Sequence, residues 1–229
     1  NQQIYLRAIR NDLVDGIIIV LPRDGKENYL RSTHDIPFIA VDYSDTVEKH
    51  PSITVTNVTA AYEGTKYLIN LGHRRIGHIT GLMDLGCSRD RLEGFLEAMG
   101  EARIEVDQSL IANGDFTRLS GELIARDWLQ RKDRPTAIFA ANDETAFGVM
   151  DVAEEFGIKV PSELSVLGFD DNYEARLRKP ALTTIKQPLF EMGIQAANGI
   201  IQLMNNQSFK SQKLDTEFVI RESCTTPSI

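Results

Sequence analysis

Residues 135–171 read PTAIFAANDETAFGVMDVAEEFGIKVPSELSVLGFDD. Two apolar runs, TAIFAA (136–141) and LSVLGF (164–169), enclose a longer segment with helical spacing. Neither run alternates apolar with polar residues. That is the pattern of strands buried on both faces, as in parallel sheets covered by helices. Pro135 marks the start of the first strand, Asp143 is placed to cap a helix over 144–156, and Gly157 stops it. A strand, a helix and a further strand in this order make a right-handed crossover. Both strands run out into polar residues: Asn142-Asp143-Glu144 after the first, Asp170-Asp171-Asn172 after the second.

The same alternation extends in both directions. Upstream lie the apolar runs GIIIVL (16–21), PFIAVDY (37–43) and RIGHIT (75–80). Asn57 is expected to cap a helix over 58–71, with Gly72 just past its end; further helices are expected over 91–101, 120–130 and 190–204, and a last strand over 214–221. An amphipathic helix over 2–13 leads straight into the first apolar run, so the chain is expected to begin inside a fold. The pattern is that of an α/β protein with right-handed crossovers. No internal repeat, low-complexity tract or long linker interrupts it, so any division into halves must be made by crossing strands.

Composition narrows the function. A length of 229 residues suits one large or two small domains. With 42% hydrophobic and 25% charged residues, the chain is an ordinary globular protein rather than a disordered one. The 25 Lys+Arg against 33 Asp+Glu leave a net charge of −8, which repels nucleic-acid phosphates and anionic lipid. Cys87 and Cys224 form no CxxC pair, so neither a zinc site nor a disulfide framework is indicated. The longest apolar run is far too short to cross a bilayer, and the N-terminal stretch lacks the charged start and apolar middle of a signal peptide.

In open α/β sheets, ligands bind outside the carboxyl ends of the strands. Three such ends carry polar groups here: Asn142 to Glu144, Asp170 to Asn172, and the stretch after RIGHITG that reaches Arg89, Asp90 and Arg91. Asp accepts hydrogen bonds, Arg donates them in a planar fork and Asn does both, a set suited to a neutral, hydroxyl-rich molecule such as a sugar or nucleoside. Each residue also has a plainer reading: Asp143 as a helix cap, Arg91 in a local ion pair, Phe116 as a core or loop aromatic rather than a platform for a sugar ring. His34, His50, His73 and His78 read as scattered surface or strand-end residues. Walker, dinucleotide-binding, nucleophile-elbow and zinc-protease motifs are missing. Asp143, Asp170 and Asp171 together suggest a magnesium site for phosphoryl transfer, but no phosphate-binding Lys or backbone nest accompanies them.

The strings LGHRRIGHITG, RDRLEGF, PTAIFAANDETAFGVMDVAEEFGIKVPSELSVLGFDD, KPALTTIKQP and EMGIQAA, in this order, closely resemble the effector-binding domain of the lactose-repressor/galactose-repressor (LacI/GalR) family of bacterial transcription factors. The resemblance implies a type I periplasmic-binding-protein fold: two doubly wound subdomains joined by three crossovers, with ligand in the cleft. On that reading 1–71 plus 188–212 form an incomplete N-terminal subdomain, and 72–187 plus 213–229 the C-terminal one. It also implies ligand-binding roles for Arg89, Phe116, Asn142, Asp170 and Gln187, with Arg91 a structural member of the family's R-x-x-G-F pattern. Thr56 replaces the family's Asp before Asn57, and Leu85 and Cys87 stand where purine-responsive members carry polar groups; both departures argue against a purine effector. The family's DNA-binding helix-turn-helix, hinge helix and first strand–helix–strand unit are not in this chain, so a longer native polypeptide is expected.

The helix over 144–156 carries Phe147, Val149, Met150 and Val152, too apolar around its circumference for a helix covered on one side, so either a partner covers its second stripe or the helix is buried twice inside one subunit. The resemblance puts this helix and residues 174–180 on a homodimer face, with Phe147, Met150, Glu154 and Arg176 at the interface. The expected function is effector binding and dimerisation in a cytoplasmic regulator. It has no enzymatic activity, cofactor or metal, touches no membrane, and reaches operator DNA only through the absent N-terminal module. A periplasmic sugar-binding protein of a transport system is the alternative, and the KPALTTIKQP segment tells against it.

Overall fold

A computed structural model describes residues 14–21, 36–42 and 50–228. The helix expected over 2–13, and His34, lie outside these residues. The chain divides into two compact units. Unit 1 holds the described residues up to Val55, the short segment Asp84–Cys87, and Pro188–Asp215; unit 2 holds Thr56–Met83, Ser88–Gln187 and the described residues from Thr216 on.

Unit 2 is built on a parallel sheet in the order β5-β4-β6-β7, comprising β4 (Ile76–Thr80), β5 (Ile111–Asn113), β6 (Ala137–Ala140) and β7 (Ser165–Leu167). Successive residues of β6 feed opposite faces. Ile138 and Ala140 join Trp128, Phe147 and Val166 on one side, while Ala137 and Phe139 join Leu68, Phe95 and Phe169 on the other. Both faces are therefore apolar, which is why these strands read as unbroken hydrophobic runs. On the second face lie α1 (Asn57–Asn70) and α2 (Gly86–Glu101); on the first lie α3 (Arg118–Leu129) and α4 (Asp143–Glu155). A short antiparallel pair, β8 (Thr184–Lys186) with β10 (Glu217–Val219), completes the unit.

Unit 1 carries the parallel sheet β1-β2-β3-β9, from β1 (Ile17–Val20), β2 (Phe38–Val41), β3 (Ser52–Val55) and β9 (Gln212–Leu214). Across it lies α5 (Leu189–Met204), whose Met192, Ala196 and Ile200 bury against Ile39, Val41, Ile53 and Val55. Gly199 allows the approach, since a Cβ there would stand 2.3 Å from the Ile39 side chain.

Several expectations are corrected. The first boundary falls after Val55, not after Leu71, because α1 buries Ala60, Ala61, Leu68 and Ile69 in unit 2. The single strand expected over 214–221 is two, β9 and β10, in different sheets, with the unit boundary between Asp215 and Thr216. Asn57 does not cap α1; Thr56 holds that position without a side-chain bond. His73 and His78 are buried, not surface residues. His78 is stacked near the Phe95 and Phe139 rings, both 4.9 Å away, and burial holds its pKa down to about 4.

The argument for an uncovered apolar stripe on α4 also fails. Phe147 is fully buried and Met150 is 5% exposed within a single chain. The second stripe is covered by α3, which comes close at two glycines: a Cβ on Gly121 would stand 2.2 Å from the Thr145 carbonyl oxygen, and one on Gly148 2.1 Å from that of Arg118. Glu154 and Arg176, by contrast, are exposed.

Candidate functional site

The polar residues of unit 2 gather where β4, β5, β6 and β7 end. Asn142 follows β6 and is the true cap of α4: its Oδ1 accepts the Thr145 N–H at 3.0 Å, and its Nδ2 donates to the Phe116 carbonyl at 3.0 Å. Asp143, expected to cap, turns inward instead. Its carboxylate accepts the Thr184 hydroxyl at 2.6 Å and the Asn172 N–H at 2.7 Å. Burial raises its pKa to about 7, with the neighbouring charges of Asp170 and Asp171 adding to the rise and the two hydrogen bonds opposing it.

Asp170 and Asp171 follow β7 with φ of 118° and 58°, two consecutive non-glycine residues in the left-handed region. Such strain persists only where surrounding contacts impose it, and it concentrates at functional sites. The Asp170 N–H donates to the Ile185 carbonyl at 2.7 Å, and the Gln187 Nε2 donates to Asp170 Oδ1 at 2.7 Å. Asp171 turns to Arg221 at 2.5 Å. Phe116, at φ 68°, lies on the end of β4: a Cβ on Gly81 would stand 2.0 Å from its ring.

Two arginines lie on α2. Arg91 is buried, with Nε donating to Asn57 Oδ1 at 2.9 Å and Nη1 to the Ala141 carbonyl at 2.6 Å. Its guanidinium lies 3.6 Å over the Phe169 ring, and Nη1 stands 4.0 Å from Asp170 Oδ1. Arg89, the residue singled out from the sequence, donates to the Met83 carbonyl at 3.1 Å. The two are about 200° apart around the helix, at roughly 3.6 residues per turn. Arg91 shares the buried stripe of Phe95, Ala98 and Met99, and that spacing was the available signal.

Asn142, Phe116, Asp170 and Gln187 are thus linked to one another or to Arg91. Asn57 and Asp143, which the sequence offered as helix caps, support this cluster instead: Asn57 through Arg91, Asp143 through Thr184 and Asn172. Asp143, Asp170 and Asp171 each have a separate partner. Among the described residues no group of three or more His, Cys, Asp or Glu is placed to hold a metal ion. In unit 1, Leu21 and Asp42 end β1 and β2 with φ of 51° and 54°. The Asp42 N–H donates to the Ile53 carbonyl at 2.7 Å.

This sheet architecture and its strand-end polar cluster define a class. The chain belongs to the periplasmic binding protein-like domain family, which it matches over residues 65–224, and is an effector-binding domain of the LacI/GalR type. It is 33% identical over 217 residues to the HTH-type transcriptional repressor PurR of Klebsiella pneumoniae, covering 93% of this chain and 64% of that protein. Among solved structures, a transcription regulator from Lactobacillus plantarum matches with a TM-score of 0.88 and 32% identity, over 98% of this chain and 87% of the other. The transcriptional regulator CelR in complex with cellobiose matches with a TM-score of 0.89 and 29% identity, over 96% of this chain and 69% of the other. These relatives are transcriptional regulators rather than enzymes.

Proposed function

We propose that this chain is the effector-binding and dimerising part of a cytoplasmic bacterial regulator. It binds a small sugar-like ligand at the strand ends of unit 2 and thereby controls operator binding by a DNA-binding module elsewhere in the polypeptide. The observation that carries this reading is the linkage of Arg91, Asn142, Asp170 and Gln187 at the carboxyl ends of a parallel sheet, with the Phe116 ring beside them. A carboxylate, a guanidinium and two amides are the donors and acceptors that a ring of hydroxyls requires, and an aromatic face suits its C–H side. Arg89 remains a candidate on the strength of the resemblance alone. Control requires the ligand to favour one state over the other, typically by about 1–3 kcal/mol.

A thermal-shift and calorimetric screen tests the ligand class, with cellobiose first because a similar regulator binds it. Wild-type protein is expected to be stabilised by at least one sugar or nucleoside. Asp170→Ala should abolish that response while circular dichroism shows an unchanged fold, because the ligand loses a charged acceptor. A wild-type chain indifferent to the whole set defeats the reading.

A further inference from the structure

We propose that Asn57 is a positioning residue for ligand recognition: it fixes the plane of the Arg91 guanidinium as a neutral acceptor, at some cost to the stability of the fold. The inference rests on the ligand-binding reading above. Asn57 is fully buried in the first turn of α1 and caps nothing. A guanidinium can only donate, so the 2.9 Å contact to Arg91 Nε fixes the oxygen of the amide towards the arginine. The Asn57 Nδ2 then points away into the interior, where it is buried without a hydrogen-bond partner. A buried donor left unpaired is destabilising.

Arg91 is held on three sides. Asn57 takes the Nε edge, the Ala141 carbonyl takes Nη1 at 2.6 Å, and the Phe169 ring lies 3.6 Å from the guanidinium. These contacts hold the plane of the guanidinium in place. That plane brings Nη1 to 4.0 Å from Asp170, the acidic member of the candidate site.

Aspartate at position 57 would accept the same Nε–H, but its second oxygen would take the buried, unpartnered place of the amide nitrogen. It would also add a negative charge 2.9 Å from the guanidinium, in competition with Asp170 and with ligand oxygens. Desolvation of that second oxygen offsets the ion pair with Arg91, so ligand recognition rather than fold stability is what separates the two side chains.

The test compares the 229-residue wild type with Asn57→Asp and Asn57→Ala. Thermal unfolding is recorded without ligand, and binding is measured by calorimetry with cellobiose, glucose, galactose, ribose and adenosine. Asn57→Asp should melt within roughly 4 °C of wild type and bind the responsive probe about tenfold or more weakly. Asn57→Ala should lose affinity, and the Arg91 Nε–H, expected to exchange slowly in the wild type because it is buried and bonded, should become labile. Asn57→Asp falling in melting temperature by more than roughly 4 °C together with affinity, or failing to fold, marks a merely structural role and overturns the proposal. Wild-type affinity in Asn57→Asp overturns it too. A wild type that binds no probe refutes the ligand reading and this inference together, which separates that failure from the other two.

Discussion

Asp143 sits where the fold controls a proton. Its pKa in the folded chain, about 7, lies above the ordinary 3.8. The folded state therefore holds the proton more tightly than the unfolded one. The stability this contributes is complete below the unfolded value and is lost as pH rises towards about 7. Asp143→Asn has no proton to lose, so its stability relative to wild type should improve across that interval. Urea unfolding of both proteins on either side of it measures the difference, and a difference that does not change with pH would show that Asp143 is ionised throughout. The carboxyl bonds both Thr184, on β8, and the backbone of Asn172, next to the strained pair Asp170-Asp171. The same titration should therefore change ligand affinity at Asp170.

The helices and strands differ in how plainly the sequence announces them. β1, β2, β4, β6 and β7 were legible because each lies within a run dominated by Ile, Val, Leu, Ala or Phe, even though His78 and Thr80 fall in β4, Ser165 opens β7, and Ile18 and Val20 of β1 are exposed. β3, β5 and β8 were not. Each has three or four residues and includes Ser, Thr, Asn or Lys, and pairing with a neighbour rather than composition makes it a strand. The cap of α4 was misplaced by one residue because Asn142 and Asp143 are both good caps, and only the tertiary contacts to Thr184 and Asn172 draw Asp143 inward. Within the candidate site, Asn142, Asp170 and Gln187 followed from strand ends and the family resemblance. Arg91 and Asn57 required knowing which side of α2 faces α1. The close pairing of α3 with α4 was invisible too, since Gly121 and Gly148 matter only once the helices meet. Gly148→Ala would push a methyl group against the Arg118 carbonyl and the Glu122 N–H, neither of which can swing aside as a side chain would. It should cost about 1–3 kcal/mol of stability by chemical denaturation; a cost near zero would mean that the two helices can slide apart freely.

For the protein as an assembly, the dimer reading now rests on different residues from those the sequence suggested. Phe147 and Met150 serve the interior, while Leu119, Leu123, Tyr173 and Leu177 are each more than half exposed. The two segments that carry them are tied together by Arg118 and Glu174 at 2.5 Å. If a second copy covers this face, Leu123→Glu should convert a sedimenting dimer to a monomer without unfolding it; a mass unchanged from wild type would move the interface elsewhere. The net charge of −8 makes the isolated chain an unpromising DNA ligand, and retardation at low salt should find none. The route of the backbone has a further consequence, for the order of events during synthesis. The four-stranded sheet of unit 2 is complete once Leu167 has emerged, but β3 of unit 1 cannot find β9 until the chain has passed Leu214. Ser52 and Ser211, hydrogen-bonded in the finished protein, are separated by 159 positions. A ribosome that stalls between these two points presents a nearly finished second unit beside a first unit whose sheet still has an unpaired edge, and that edge is what a chaperone would have to shield until the last strand arrives.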